Sequence, residues 1–114
     1  MSSREDMVME QVAALPLEPG VYQFLDRDGK VIYVGKAKSL RKRVSSYFVK
    51  NKDHSAKVKV LVRQVCAIKH IVVGSEQDAL LLENSLIKSL QPRYNILLKD
   101  DKTYPWIVLR KENF

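Results

Sequence analysis

Apolar positions change their period along this chain, and the changes mark its elements. VYQFL (21–25) and VIYVG (31–35) are β-branched and aromatic runs separated by DRDGK, which predicts a β-hairpin. Upstream, residues 4–14 (REDMVMEQVAA) repeat Met7, Val8, Val12 and Leu15 at helical spacing, and Pro16 closes the segment. Residues 39–49 open with Ser39 as a candidate N-cap and put Leu40, Val44, Tyr47 and Phe48 on one side of a helix. The segment 55–65 (SAKVKVLVRQV) reads as a helix, with strand as a competitor because of its β-branched content. CAIKHIVVG (66–74) reads as a strand, and 75–90 as a helix opened by Ser75 and Asp78 in a variant of the capping box and stopped by Pro92. A last strand is expected at 105–110. No internal repeat or interdomain linker is visible, so one domain over 1–114 is expected, the N-terminal piece of a longer chain.

The hairpin register carries a consequence for chemistry. A loop at Arg27-Asp28 sets Tyr22 opposite Tyr33; a loop at Asp28-Gly29 sets Tyr22 opposite Gly35 and Phe24 opposite Tyr33. Side chains alternate with period two, so either register brings Tyr22 and Tyr33 to one face of the sheet.

The long helix holds a carboxylate in an unexpected place. At ~100° per residue Ala79, Leu82, Leu86, Ile87 and Leu90 form an apolar stripe, and Glu83 falls inside it. A charged carboxylate there costs several kcal/mol unless it is paired or binds a cation. Two readings follow: a Glu paired with an arginine or reaching solvent at the stripe's end, or a ligand for a hard cation. One carboxylate with waters and substrate oxygens is a common way to hold Mg²⁺ beside phosphate.

Charge sharpens the second reading. The formal net charge is +7 over 114 residues, yet residues 30–69 hold twelve Lys and Arg against Asp53 alone, a net of +11, which leaves −4 for the rest. A basic zone interleaved with Tyr33, Tyr47 and Phe48 is the footprint expected for a phosphate backbone. Cys66 is the sole cysteine, which rules out a disulfide within the chain and a cysteine-based zinc site. No run approaches ~20 apolar residues, and the first dozen residues are acid-bearing. A soluble cytoplasmic chain that does not enter membranes is expected. His54 and His70 lack partners at ligand spacing, and Asp26, Asp28, Asp100 and Asp101 read as turn residues. Gly35-Lys36 lacks the glycine-rich stretch of a P-loop.

Five elements in order, GVY (20–22), YVG (33–35), Arg43, Glu83 and Asn95, resemble the GIY-YIG nuclease superfamily. Within it, YVGKAKSLRKRVSSYF and ALLLENSLIKSLQPRYNILLKDDKTYP are similar to the N-terminal domain of the UvrC family of bacterial excision nucleases. The resemblance covers roughly residues 12–110 and departs from the motif only in Val for Ile in each tripeptide. It implies an α/β (α+β) fold with a small central three-stranded antiparallel sheet flanked by helices. It also implies catalytic positions at Tyr22, Tyr33, Lys36, Arg43, Tyr47 and Asn95, with Glu83 as the ligand of a single Mg²⁺ or Mn²⁺. The implied activity is hydrolysis of one phosphodiester bond, 3′ to a lesion in double-stranded DNA. UvrB, with UvrA upstream, would be the protein partner of the full-length chain, and the isolated domain would be a monomer.

On this reading Tyr33 is expected to be the base for the attacking water, or at least to orient it. Its reference pKa of ~10 leaves about one phenolate in a thousand at neutral pH, and Lys36, Arg43 and the metal are expected to favour the charged form. Tyr22 and Tyr47 are expected to position water and phosphate. The alternatives are a stand-alone structure-selective endonuclease and a non-catalytic module that grips backbone and stacks bases on tyrosine.

Overall fold

The computed structural model describes residues 4–48 and 55–99. The expected strand at 105–110, Asp100, Asp101 and His54 lie outside the described residues. The elements run α1 (Arg4–Ala13), β1 (Gly20–Leu25), β2 (Val31–Ala37), α2 (Leu40–Tyr47), α3 (Ala56–Gln64), β3 (Ala67–Val72), α4 (Glu76–Leu90) and α5 (Arg93–Lys99). The three strands form one sheet in the order β2-β1-β3, and β1 is antiparallel to both neighbours. The expected three-stranded antiparallel sheet flanked by helices is the fold observed.

Of the two hairpin registers, the one with Tyr22 opposite Gly35 and Phe24 opposite Tyr33 is found. Asp26 builds the turn: its Oδ1 accepts from the backbone N–H of Asp28 at 2.9 Å and of Lys30 at 3.0 Å. Gly29 supplies the positive φ of 80° that the turn requires. Leu25 then pairs with Val31, so Ile32 is an extra residue in β2 and forms a bulge. The bulge lets Ile32 join the core cluster that contains Tyr22 and Phe24.

That cluster fills one side of the sheet. Val8, Val12 and Leu15 from α1 and its exit, Leu40, Val44 and Tyr47 from α2, and Val58, Leu61 and Val65 from α3 and its exit all bury there. Met7, expected on the packing face of α1, is 50% exposed instead. The strand alternative for 55–65 loses to helix because Val58, Leu61 and Val65 sit at a spacing that buries all three from one helical side. Ser55 caps this helix by accepting from the N–H of Val58. On the other side of the sheet, α4 lies over β1 and β2, and Ala79 closes on Val21 and Val34 with Leu82, Leu86 and Ile87 partly buried around them. Leu90, assigned to the stripe, is 42% exposed at the helix end. The Ser75 hydroxyl accepts from the N–H of Asp78, which is the capping bond expected for α4.

The helix ends also differ from expectation in two details. Ser39 stands at the N-cap position of α2 but makes no capping bond. The Leu40 and Arg41 N–H groups donate instead to the carbonyls of Glu18 and Pro16, each at 3.0 Å, so the loop before β1 does the capping. Pro92, read as a stop for α4, also opens α5: its carbonyl accepts from the N–H of Asn95 at 3.1 Å. Gln91, at φ 48°, makes the sharp break between the two helices.

Both free edges of the sheet are blunted by side-chain amides. On β3, the Ile68 N–H donates to Gln11 Oε1 at 2.7 Å. On β2, Asn95 accepts from the Val34 N–H and donates to the Val34 carbonyl, both at 2.8 Å. An open edge is a template for unwanted pairing, and these contacts occupy it.

Candidate active site

The site grows out of one pleat of the hairpin. Tyr22 and Tyr33 share a face because Tyr22 pairs with Gly35, two residues from Tyr33 on the same strand, and Tyr47 comes down onto that face from α2. The three ring centroids are 6.2 Å (Tyr22–Tyr33), 5.9 Å (Tyr22–Tyr47) and 6.3 Å (Tyr33–Tyr47) apart, a nearly equilateral triangle. Phe24 stands 5.2, 5.9 and 5.3 Å from Tyr22, Tyr33 and Tyr47 and forms its floor. Tilted and edge-on packing at these distances is favourable for aromatic quadrupoles. The polar tips converge too: the Tyr22 and Tyr47 hydroxyls are 2.8 Å apart, and Tyr47 also hydrogen-bonds Tyr33.

The two motif glycines make this packing possible. A Cβ on Gly35 would overlap the Cζ and hydroxyl of Tyr22, which lies across it in the β1–β2 pair. A Cβ on Gly20 would overlap the Ile71 carbonyl and come within 2.8 Å of the Leu40 side chain. Each glycine is therefore explained by a specific neighbour, a ring in one case and a backbone carbonyl in the other.

Arg43 closes the cluster toward solvent. Its guanidinium lies 5.4 Å from the Tyr47 ring centroid and hydrogen-bonds Tyr22. Burial alone would lower its pKa, but the surrounding Tyr47, Tyr22 and Tyr33 raise it, so the group is a fixed positive charge. Glu83 approaches from α4. It is half-buried, and burial raises its carboxyl pKa above the usual value while Lys36 lowers it through charge and a backbone hydrogen bond. Lys36, rather than an arginine, is thus what meets the carboxylate. The Lys36 side chain itself is exposed and, with Arg43, lines an adjoining groove.

Of the two roles expected for Tyr33, orienting the water suits the cation-free site better than acting as base. Burial, then the neighbouring Tyr47 and its hydrogen bond, then the Glu83 charge hold the Tyr33 phenol well above its ordinary pKa, and Arg43 opposes them without prevailing. Tyr22 is raised as well, again chiefly by burial. Summing nearby cations from sequence overlooked the desolvation of a ring packed among three others. In the structure described, Tyr33 is a protonated hydrogen-bonding group.

Asn95 reaches the site only through backbone: both ends of its amide are occupied by Val34, the residue between Tyr33 and Gly35. Its geometry is that of a positioning residue. His70 lies exposed on β3. Sequence reasoning missed the floor residue Phe24, although its pairing opposite Tyr33 was the available signal, and missed α5, which carries Asn95.

The donor set suits one kind of cation. Among the described residues no three His, Cys, Asp or Glu gather as an all-protein cage. A single half-buried carboxylate within electrostatic reach of the Tyr33 phenol matches a hard divalent ion that keeps waters and takes substrate oxygens. A three-stranded antiparallel sheet with paired motif tyrosines, an arginine and a lone carboxylate at one edge strand defines the GIY-YIG class of domain.

Comparison with known proteins narrows this. Residues 18–96 match the model of the UvrC-like GIY-YIG domain, and the chain belongs to that family. A UvrABC system protein C from Flavobacterium psychrophilum is 67% identical over 104 residues, 91% of this chain and 17% of that protein. This chain thus spans about a sixth of that relative's length. The GIY-YIG N-terminal endonuclease domain of UvrC from Thermotoga maritima, bound to its catalytic divalent cation magnesium, has 36% identity and a TM-score of 0.70. The match covers 78% of this chain and 96% of that one. A point mutant of the same domain with phenylalanine for one tyrosine, also bound to its catalytic divalent cation, has 35% identity and a TM-score of 0.70 over 78% and 94% of the two chains.

Proposed function

We propose that this chain is a divalent-metal-dependent DNA endonuclease domain hydrolysing one phosphodiester bond, and that it makes the 3′ incision in bacterial nucleotide excision repair. The observation that carries the reading is the meeting, at the edge strand β2, of a carboxylate held within an apolar stripe and a three-tyrosine platform topped by Arg43. The name and cation of the Thermotoga relative support it. The chain would be the N-terminal domain of a longer protein that also engages UvrB, with UvrA upstream, on lesion-bearing duplex in the cytoplasm. Among the described residues no helix is long and apolar enough to cross a membrane.

Glu83 would hold the Mg²⁺ or Mn²⁺, which when bound polarises the phosphoryl group and stabilises the leaving 3′ oxygen. Arg43 clamps the same phosphate and offsets the charge that grows on it, since a guanidinium donates in fork geometry to phosphate oxygens. Tyr33, kept as a phenol by its surroundings, orients the attacking water through its hydroxyl. Tyr47 bridges Tyr33 and Tyr22 and keeps that hydroxyl from rotating away. Lys36 offsets part of the burial cost of Glu83 in the free protein and stands at the groove mouth for the incoming backbone. Asn95 keeps β2 straight behind Tyr33.

The test is nicking of damaged duplex with the repair partners and Mg²⁺. The parent cuts, whereas Glu83→Gln and Arg43→Ala bind DNA without cutting. If both variants cut like the parent, the assignment is wrong. A binding-only module predicts no cutting by any of them.

A further inference from the structure

Beside the tyrosine platform runs an open groove of about 470 Å³ lined by Lys36, Ala37, Lys38, Ser39, Lys42, Arg43, Glu76 and Ala79. Lys36 and Arg43 belong to both sites, so the groove is continuous with the place where the scissile phosphate would lie. The rest of its polar lining has no part in the chemistry above. Lys42 is exposed on the first turn of α2. Lys38 is 82% exposed and touches Glu76 at 3.9 Å. Ser39 Oγ is buried without a hydrogen-bond partner.

The attraction here comes from side chains. The first N–H groups of α2 already donate to Glu18 and Pro16, so no free helix terminus is on offer. What remains is a set of cations on one wall, a hydroxyl with no partner, and one carboxylate that lies against the outermost lysine. A buried hydroxyl without a partner is a cost that a ligand oxygen can remove. Lysines on a groove wall hold phosphate as point charges without reading sequence.

We infer that this groove is a second phosphate subsite, which holds the backbone phosphate next to the scissile one through Lys38, Lys42 and Ser39. Glu76 serves as its stand-in anion and is displaced from Lys38 when DNA enters. The inference rests on the nuclease reading for the identity of the ligand, but it concerns different residues and is tested separately. The strand would leave the site along the first turn of α2, and register would be set here before the scissile bond meets Glu83.

The test is fluorescence anisotropy of a short duplex with the 114-residue chain, in the absence of added divalent cation and over a range of salt. Lys38→Ala with Lys42→Ala weakens binding to every duplex sequence and lowers the salt slope by about one for each lysine. Ser39→Ala weakens binding with the slope unchanged, and Glu76→Gln tightens it. The charge-matched control, Lys59→Ala with Arg63→Ala on α3, keeps most of the affinity. A groove double variant with the parent's affinity and slope overturns the subsite. So does a control that loses as much as the groove variant, because the effect would then be net charge. Nicking is scored separately, on damaged duplex with the repair partners and Mg²⁺ and on the parent alone: a parent that binds through the groove and never cuts there sinks the nuclease reading and leaves the subsite standing.

Discussion

On one side of the sheet Phe24, Tyr22, Tyr33 and Tyr47 lock ring against ring and hydroxyl against hydroxyl, with Ile32 bulged in to complete the fill. On the other, Val21 and Val34 close on Ala79, and the remaining stripe of α4 is only half covered. The site draws one component from each. The tyrosine face is over-determined, as a surface meant to hold water and phosphate in fixed geometry must be. The α4 face tolerates a carboxylate because it is thinly packed, and Glu83 keeps access to a cation for the same reason.

That contrast breaks most visibly at Gly35. Gly35→Ala forces a methyl into the Tyr22 ring and should cost roughly 3 kcal/mol, since overpacking a stiff core is felt in full. Urea denaturation measures it. Removing bulk on the opposite face, as in Leu86→Ala, should cost nearer 1 kcal/mol because that side chain is only partly buried. Equal losses would mean that the two faces are packed alike.

Next in size is Asn95→Ala, which strips both hydrogen bonds from Val34 at a part-buried edge. About 2 kcal/mol is expected, together with faster hydrogen exchange at the Val34 amide. Exchange as slow as in the parent would show that the edge does not depend on Asn95.

The tyrosine face should also declare itself in alkali. Tyr22 and Tyr33 have folded pKa values above the unfolded value of ~10, raised by burial. Their contribution is complete below pH ~10 and is lost as pH rises beyond it, when the unfolded chain gives up protons that the fold retains. Each tyrosine adds up to about 1.4 kcal/mol per pH unit to that decline. Tyr22→Phe should therefore flatten the fall above pH ~10 by up to that slope. An unchanged slope would place Tyr22 outside the effect.

The hairpin, α1 to α4, the shared tyrosine face and the misplaced carboxylate were legible from periodicity alone. What escaped has physical reasons. Pro92 terminates α4 and also opens α5, and a proline seen as a stop hides its use as a start. The choice of register rests on the turn around Asp26 and on the Ile32 bulge, and a bulge leaves no mark in an alternating pattern. Ser39 has the right chemistry for a cap, but Glu18 and Pro16 reach the helix first, a tertiary contact invisible locally. The protonation of Tyr33 depends on four rings meeting, which sequence shows only as separate letters.

The smallest effect lies at Glu83. Burial raises its carboxyl pKa, so protonation favours the fold in acid, and that contribution fades as pH rises through the folded pKa. Glu83→Gln should then stabilise the cation-free protein at pH 7 by less than ~1 kcal/mol, because the group is partly solvent-screened, and by less still at pH 4. Destabilisation at pH 7 would show that the Lys36 contact outweighs burial.

Divalent-cation titration of the parent, Glu83→Gln and Tyr33→Phe chains puts the division of labour between the two faces to the most direct test. One Mg²⁺ or Mn²⁺ bound by the parent and by Tyr33→Phe, and lost in Glu83→Gln, is the predicted result. Parent-like binding by Glu83→Gln would contradict it.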